Sequence, residues 1–78
     1  MSLAEELKRH QREGLLLLIE WHGSQVMLAN RLGVSKQTVN NWVSRGRISA
    51  KSAIVAERIT GQEFKKEQLR PDVIEWSV

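Results

Sequence analysis

The sequence contains no cysteine, and its longest uninterrupted apolar run is only five residues, from Leu15 to Ile19. Without cysteine the chain can form neither a disulfide framework nor a thiolate metal site. The apolar run is far shorter than the roughly 20 residues that a membrane-spanning helix needs. Charged residues from Glu5 to Arg9 precede the leucines, which is not the order of a secretory signal. We therefore expect a cytoplasmic protein.

Acidic residues are missing from the centre of the chain. All nine lie at or before Glu20, or at or after Glu57. A purely basic centre indicates a surface that faces a polyanion, because cations beside phosphates release counterions. An ordinary solvated surface is the alternative. The central basic residues are Arg31, Lys36, Arg45, Arg47 and Lys51.

Residue patterns typical of catalysis or of metal binding are also missing. His10 and His22 are twelve positions apart and have no paired acidic ligand. No serine has an inferable histidine and acid partner, no glycine pattern forms a phosphate loop, and no carboxylate pair lies in the centre. We expect neither an enzyme nor a bound metal, cofactor or small molecule.

A chain of 78 residues is one domain. Ser2 with Glu5 forms a capping-box pattern before a first helix over about residues 2–22. Gly14 interrupts this helix at a cost of about 1 kcal/mol relative to alanine, so we expect fraying or bending before it. Leucines and Trp21 at helical spacing are expected in the core, and both histidines at the surface or a helix end.

Three serines can cap further helices. Ser24 precedes a predicted helix over residues 25–32, Ser35 one that runs to about residue 43, and Ser49 one that runs to residue 60. After Gly61, Pro71 and irregular apolar spacing predict a short strand, a turn or an extended arm over about residues 62–78. The predicted fold is all-α, with four or five helices in a single domain over residues 1–78.

Residues 25–44 have the pattern of a helix–turn–helix. Ala29 is small enough for two helices to cross closely, and Gly33 suits the tight turn between them. The inward residues of this pair are predicted to be Leu28, Leu32, Val34, Val39 and Trp42.

The outward face of the third helix is then amide-rich and basic, without acids. Lysine can pair with guanine acceptors, and glutamine or asparagine with adenine, in the major groove of DNA. The alternative is a solvated helix face, although such faces usually contain Glu or Asp. We predict base reading by Lys36, Gln37, Asn40, Asn41 and Ser44, and phosphate contacts by Gln25, Ser35, Arg45, Arg47 and Lys51. For the phosphate set, helix-end polarity and surface solubility are the alternatives.

Several motifs over about residues 23–76 resemble those of Cro-like and YdaS-like helix–turn–helix proteins of phages and prophages. They are Gly23-Ser24-Gln25, Leu32-Gly33-Val34-Ser35, Val39-Asn40-Asn41-Trp42, Gly46-Arg47-Ile48, Ile59-Thr60-Gly61 and, most discriminating, Leu69-Arg70-Pro71-Asp72. The resemblance implies a lambda-repressor-like fold and a transcriptional regulator, of repressor type, that binds an operator in a bacterial or phage-infected cell. The segment before Gly14 is longer than the usual start of this group.

A second hypothesis is a protein-interaction module of antitoxin or adaptor type that presents an apolar surface. The residues that favour it are Leu3, Leu7, Val73, Ile74 and Trp76. Phage-type regulators often read paired half-sites as two-fold dimers, so the tail over residues 64–76 or the Leu3 and Leu7 face could join two copies. Otherwise the tail covers the core of a monomer.

Overall fold

The computed structural model describes residues 2–77, so Met1 and Val78, at the ends of the predicted domain and tail, lie outside the described residues. No strand occurs within residues 2–77, which confirms the all-α class. None of the helices in that range is long and apolar enough to cross a membrane. The elements are α1 (Leu3–His22), α2 (Gln25–Leu32), α3 (Lys36–Arg45), α4 (Ala50–Ile59), α5 (Lys66–Leu69) and a 3₁₀ helix (Ile74–Ser77).

The three predicted serine caps determine where α2, α3 and α4 begin. In each, the serine Oγ accepts a hydrogen bond from the backbone N–H three residues later, at 3.2 Å for Ser24, 3.0 Å for Ser35 and 3.2 Å for Ser49. Each bond satisfies an amide that has no partner within its own helix. The predicted bounds of α2 are therefore confirmed, and those of α3 and α4 hold to within about two residues.

One apolar core joins all five α-helices. Helix α1 packs against α2, α3 and α5, while α2 also contacts α3 and α4. Ala29 is only 2% exposed, and Gly33 ends α2 in the left-handed conformation with φ 71°. Both roles predicted for the turn are confirmed. The buried core residues are Leu15, Leu18, Leu28, Ala29, Val39, Trp42, Ile48, Ala53, Ala56 and Leu69.

Helix α1 is continuous through Gly14, so the predicted bend or fraying there is wrong. A Cβ atom at Gly14 would lie 3.5 Å from the backbone oxygen of Gln68 and 3.5 Å from a methyl group of Leu69. Packing of α5 against this turn of α1 therefore supports the helix where its own sequence is weakest.

Over residues 62–77 the C-terminal tail forms two short helices, α5 and the 3₁₀ helix, joined by turns, so the predicted turn is confirmed and the predicted strand or extended arm is wrong. Leu69 is fully buried, and Arg70 donates from Nη1 to the carbonyl oxygen of Ile48 at 3.0 Å. Trp76 in turn donates from Nε1 to the carbonyl oxygen of Arg70 at 2.9 Å. These contacts attach the tail to the turn that follows α3.

Of two side chains at the end of α1, Trp21 differs from its prediction, whereas His22 lies at a helix end as predicted. Trp21 is 50% exposed rather than in the core, with its ring edge-to-face against Phe64 at 6.0 Å. His22 is buried at the helix end, where its Nδ1 and the carbonyl oxygen of Leu18 are hydrogen-bonded at 2.9 Å. Because His22 and Leu18 are one helical turn apart, the inward stripe of α1 runs through His22 and leaves Trp21 at its edge.

Candidate nucleic-acid interface

Helix α3 has one buried face and one exposed face. Val39 is fully buried and Trp42 is 5% exposed, while Val34 and Val43 are partly buried against the same core. This confirms the predicted inward set and holds α3 firmly against the domain. All five predicted base-reading residues are exposed on the other face: Lys36, Gln37, Asn40, Asn41 and Ser44.

Gln37 and Asn41 are joined on the exposed face of α3. Nε2 of Gln37 donates to Oδ1 of Asn41 at 3.1 Å, across one helical turn. The opposite ends of this pair are an acceptor, Oε1 of Gln37, and a donor, Nδ2 of Asn41. One acceptor and one donor are what the major-groove edge of adenine requires, since adenine offers an N6 donor and an N7 acceptor.

The N-termini of the central helices lack the acids that usually balance a helix dipole. The first turns of α2, α3 and α4 contain no acidic residue, whereas α1 has Glu5 and Glu6 and α5 has Glu67. Lys36 and Lys51 even lie in the first turns of α3 and α4. A cation there is opposed by the partial positive charge of the helix end, so these termini favour an external anion.

The predicted phosphate-contacting residues differ in their surroundings. Arg45 and Lys51 are exposed, and Ser35 is exposed while its Oγ also caps α3. Gln25 is half-buried, and its Oε1 is buried without a hydrogen-bond partner among the described residues. The side chain of Arg47 is 51% exposed, with its Nη1 3.7 Å from Oδ2 of Asp72.

Asp72 is the acid that the tail brings to the basic centre. The hydrogen bonds from Arg70 hold the pKa of the Asp72 carboxyl below its ordinary value, and the nearby Arg47 acts in the same direction. The same bonds raise the pKa of Arg70. Both groups therefore stay charged, and the Asp72 carboxylate lies near Arg47 in the turn after α3.

Sequence reasoning missed a second basic element in the N-terminal half of α1. An open cleft separates this part of α1 from the turn between α3 and α4. The sequence signal for this basic element is the i, i+4 spacing of Lys8 and Arg12. This spacing places both residues on the side of the helix that also carries Leu15. The residues that line the cleft are Lys8, Arg9, Gln11, Arg12, Arg45, Gly46 and Arg47.

Fold and surface together define a small all-helical protein with a helix–turn–helix pair and a basic, amide-rich exposed face. The family model described as "Bacterial toxin YdaS" matches residues 15–78. The chain is also 43% identical over 56 residues to "Putative transcriptional regulator YdaS" of Escherichia coli (strain K12). The chain belongs to the YdaS family.

The match with the Escherichia coli relative covers 70% of this chain and 56% of that protein, so this chain spans little more than half of the relative's length. No solved structure matches the chain. The family description names a toxin and the relative's name states transcriptional regulation.

Proposed function

We propose that this protein binds double-stranded DNA sequence-specifically and regulates transcription as a repressor of phage or prophage type. The observation that supports this function best is the acid-free, exposed face of α3, on a helix whose opposite face is fixed in the core by Val39 and Trp42. The major groove admits one α-helix, and a rigid helix is what base reading requires. The relative named as a transcriptional regulator supports the same function.

Within this interface, the joined pair of Gln37 and Asn41 pairs with adenine through its free acceptor and donor. Lys36 donates to guanine, and Asn40 and Ser44 contact the next bases along the groove. A direct base contact of this kind is worth about 1–3 kcal/mol of discrimination against the wrong base.

The phosphate contacts flank the reading helix. Gln25 and Ser35 stand at the N-termini of α2 and α3, where helix polarity attracts phosphate. Arg45, Arg47 and Lys51 contact the backbone beyond the C-terminus of α3. These contacts position the protein without reading sequence, and they make its affinity depend on salt.

Selection of bound duplexes from a random DNA pool tests this function directly. The protein should enrich one sequence, and an enriched inverted repeat would indicate a homodimer on paired half-sites. Asn41→Ala should then lower the preference for the selected over a scrambled duplex roughly tenfold. Asn30→Ala, an exposed amide on α2 outside the predicted reading set, is the matched control. Recovery of no sequence, or an unchanged preference in Asn41→Ala, would contradict the proposal.

A second candidate function is a protein-interaction module. It is favoured by the exposure of apolar side chains at both ends of the chain, 72% for Leu3 and 79% for Ile74. Trp76 favours it less, because its Nε1 is bonded to Arg70 and its ring lies under Lys66. Ile74→Ser should abolish capture of a protein partner and leave DNA affinity unchanged. Deletion of the tail is a poorer test, because it removes the contacts that Asp72 makes.

A further inference from the structure

We propose that the N-terminal half of α1 and the turn between α3 and α4 form a second phosphate-binding strip, which contacts the DNA backbone beside the groove that α3 enters. The inference rests on the proposed DNA-binding function and extends it to residues that the sequence analysis did not select. It adds Lys8, Arg9 and Arg12 to the DNA-binding surface. All three precede residue 15, where the match to the family begins.

The charge of the cleft points to an anionic occupant. Five of its seven lining residues are basic, and none is acidic. Asp72 offsets part of this charge, but only through Arg47, at 3.7 Å. Like charges gathered along one cleft repel each other, and a polyanion that faces them relieves this repulsion.

The side chains on and beside the inward face of α1 become more polar and basic toward the N-terminus of the helix. From Leu15 to Leu18 this face is apolar and buried against the core. One to two turns earlier the same side of α1 carries the half-buried Leu7 and the buried Gln11, with the exposed Lys8 and Arg12 beside them, so cations border the end of the inward stripe. Gln11 is 4% exposed, which keeps this end of the stripe packed rather than free in solvent.

Arg12 and Gly46 lie close together where the two walls of the cleft meet. The Nη1 atom of Arg12 donates to the carbonyl oxygen of Val43 at 3.4 Å. A Cβ atom at Gly46 would lie 2.7 Å from Nη2 of Arg12, so a side chain at residue 46 would require the guanidinium to shift. The cation therefore lies at the C-terminal end of α3, next to Arg45.

The position of the cleft identifies its occupant as the DNA backbone rather than an isolated anion. Arg45 directly follows Ser44, the last residue of the proposed reading set, and it also lines the cleft. A duplex seated on α3 continues past that helix end, and its next phosphates would meet Lys8, Arg9 and Arg12. The cleft is open to solvent, as contact with a backbone requires.

The test compares the salt dependence of duplex affinity in Lys8→Gln with that in Arg58→Gln. Both replaced side chains are exposed and both changes remove one positive charge, but Arg58 does not line the cleft. Each lost phosphate contact should flatten the slope of log Kd against log salt by about 0.9 and weaken binding roughly five- to tenfold at 0.1 M salt. We expect this for Lys8→Gln, equally on selected and scrambled duplexes, with Arg58→Gln close to wild type.

The possible outcomes separate this inference from the proposed function. One outcome is that wild type binds its selected duplex while Lys8→Gln and Arg58→Gln give the same salt slope. This result would contradict the phosphate-binding strip but not DNA binding by α3. If Lys8→Gln changes the preference between duplexes instead of the slope, the strip is also wrong. If wild type binds no duplex, both the proposed DNA-binding function and the phosphate-binding strip are contradicted. A further flattening in the double variant Lys8→Gln/Arg9→Gln would support the strip as a continuous surface.

Discussion

Arg70 and Asp72 form a two-pronged pair in which Nε donates to Oδ1 at 2.8 Å and Nη2 donates to Oδ2 at 2.9 Å. The two residues are only two positions apart, with Pro71 between them. Arg70 also donates to the carbonyl oxygen of Ile48, and Asp72 lies near Arg47. The Leu-Arg-Pro-Asp motif therefore attaches the tail to the turn after α3 and orients one predicted phosphate-contacting arginine.

Asp72→Asn should lower the free energy of unfolding by about 1–3 kcal/mol, because hydrogen bonds between charged groups are worth more than neutral ones and Arg70 is left partly buried without its carboxylate. Urea unfolding followed by circular dichroism measures this loss. Glu75→Gln removes the same charge from an exposed position in the same tail and is the control. Equal midpoints for the two variants would show that the pair does not hold the tail.

The lowered pKa of Asp72 predicts a loss of stability in acid. Its ordinary value is 3.8, and the folded protein holds it lower, so the unfolded chain takes up a proton first as pH falls. The stabilisation is complete above pH 3.8 and is lost as pH falls below it, through the folded pKa. The free energy of unfolding, measured with urea, should fall less between pH 6 and pH 3 in Asp72→Asn than in wild type. If both proteins lost the same free energy of unfolding between these pH values, Asp72 would not be a cause of acid sensitivity.

Two adjacent leucines should differ strongly in how much their truncation destabilises the fold. Leu18 is fully buried and Leu17 is 57% exposed, although both lie in the same turn of α1. Leu18→Ala should cost about 2–5 kcal/mol of unfolding free energy, because it removes buried methyl groups and leaves a cavity. Leu17→Ala should cost less than about 1 kcal/mol. If Leu17→Ala were the more damaging change, the helix would be rotated from the orientation described above, or Leu17 would be buried against a second copy.

Replacement by alanine should change the stability of the fold in opposite directions at two glycines. Gly33→Ala should destabilise the fold by about 1–2 kcal/mol, because φ 71° forces a side chain into the left-handed region. Gly14→Ala should stabilise it by about 0.5–1 kcal/mol, since Gly14 is helical and a new Cβ would make ordinary contacts with Leu69. Thermal unfolding of both variants checks this pair. A destabilised Gly14→Ala would mean that α5 needs closer contact with α1 than a methyl group permits.

The positions of α2, α3 and α4 could be predicted because local signals fix them. Serine caps, the small Ala29 and the left-handed Gly33 act within a few residues, and the spacing of Val39 and Trp42 allows only one inward face for α3. The exposure of the five predicted base-reading residues follows from that face.

The errors lie where distant parts of the chain decide the outcome. The block Leu15 to Ile19 is apolar at every helical phase, so the sequence does not show that Leu18 points inward and Trp21 does not. Gly14 keeps its helical conformation because α5, more than fifty residues later, packs on it. The tail packs back on the domain through Leu69 in the core and through the hydrogen bond from Arg70 to Ile48, which spacing in the tail does not reveal. The basic cleft likewise joins residues 8–12 to residues 45–47.

We propose that the exposed face of α3 reads bases while the flanking cations hold phosphates. The most direct test of this proposal is one binding measurement with two variants, Gln37→Ala/Asn41→Ala and Arg45→Gln/Lys51→Gln, on the selected and a scrambled duplex over a range of salt. The first variant should lose most of its preference between duplexes and keep its salt slope. The second should keep the preference and flatten the slope by about 2. If the first variant kept its preference for the selected duplex, or if both variants changed preference and salt slope alike, base reading by α3 would be contradicted.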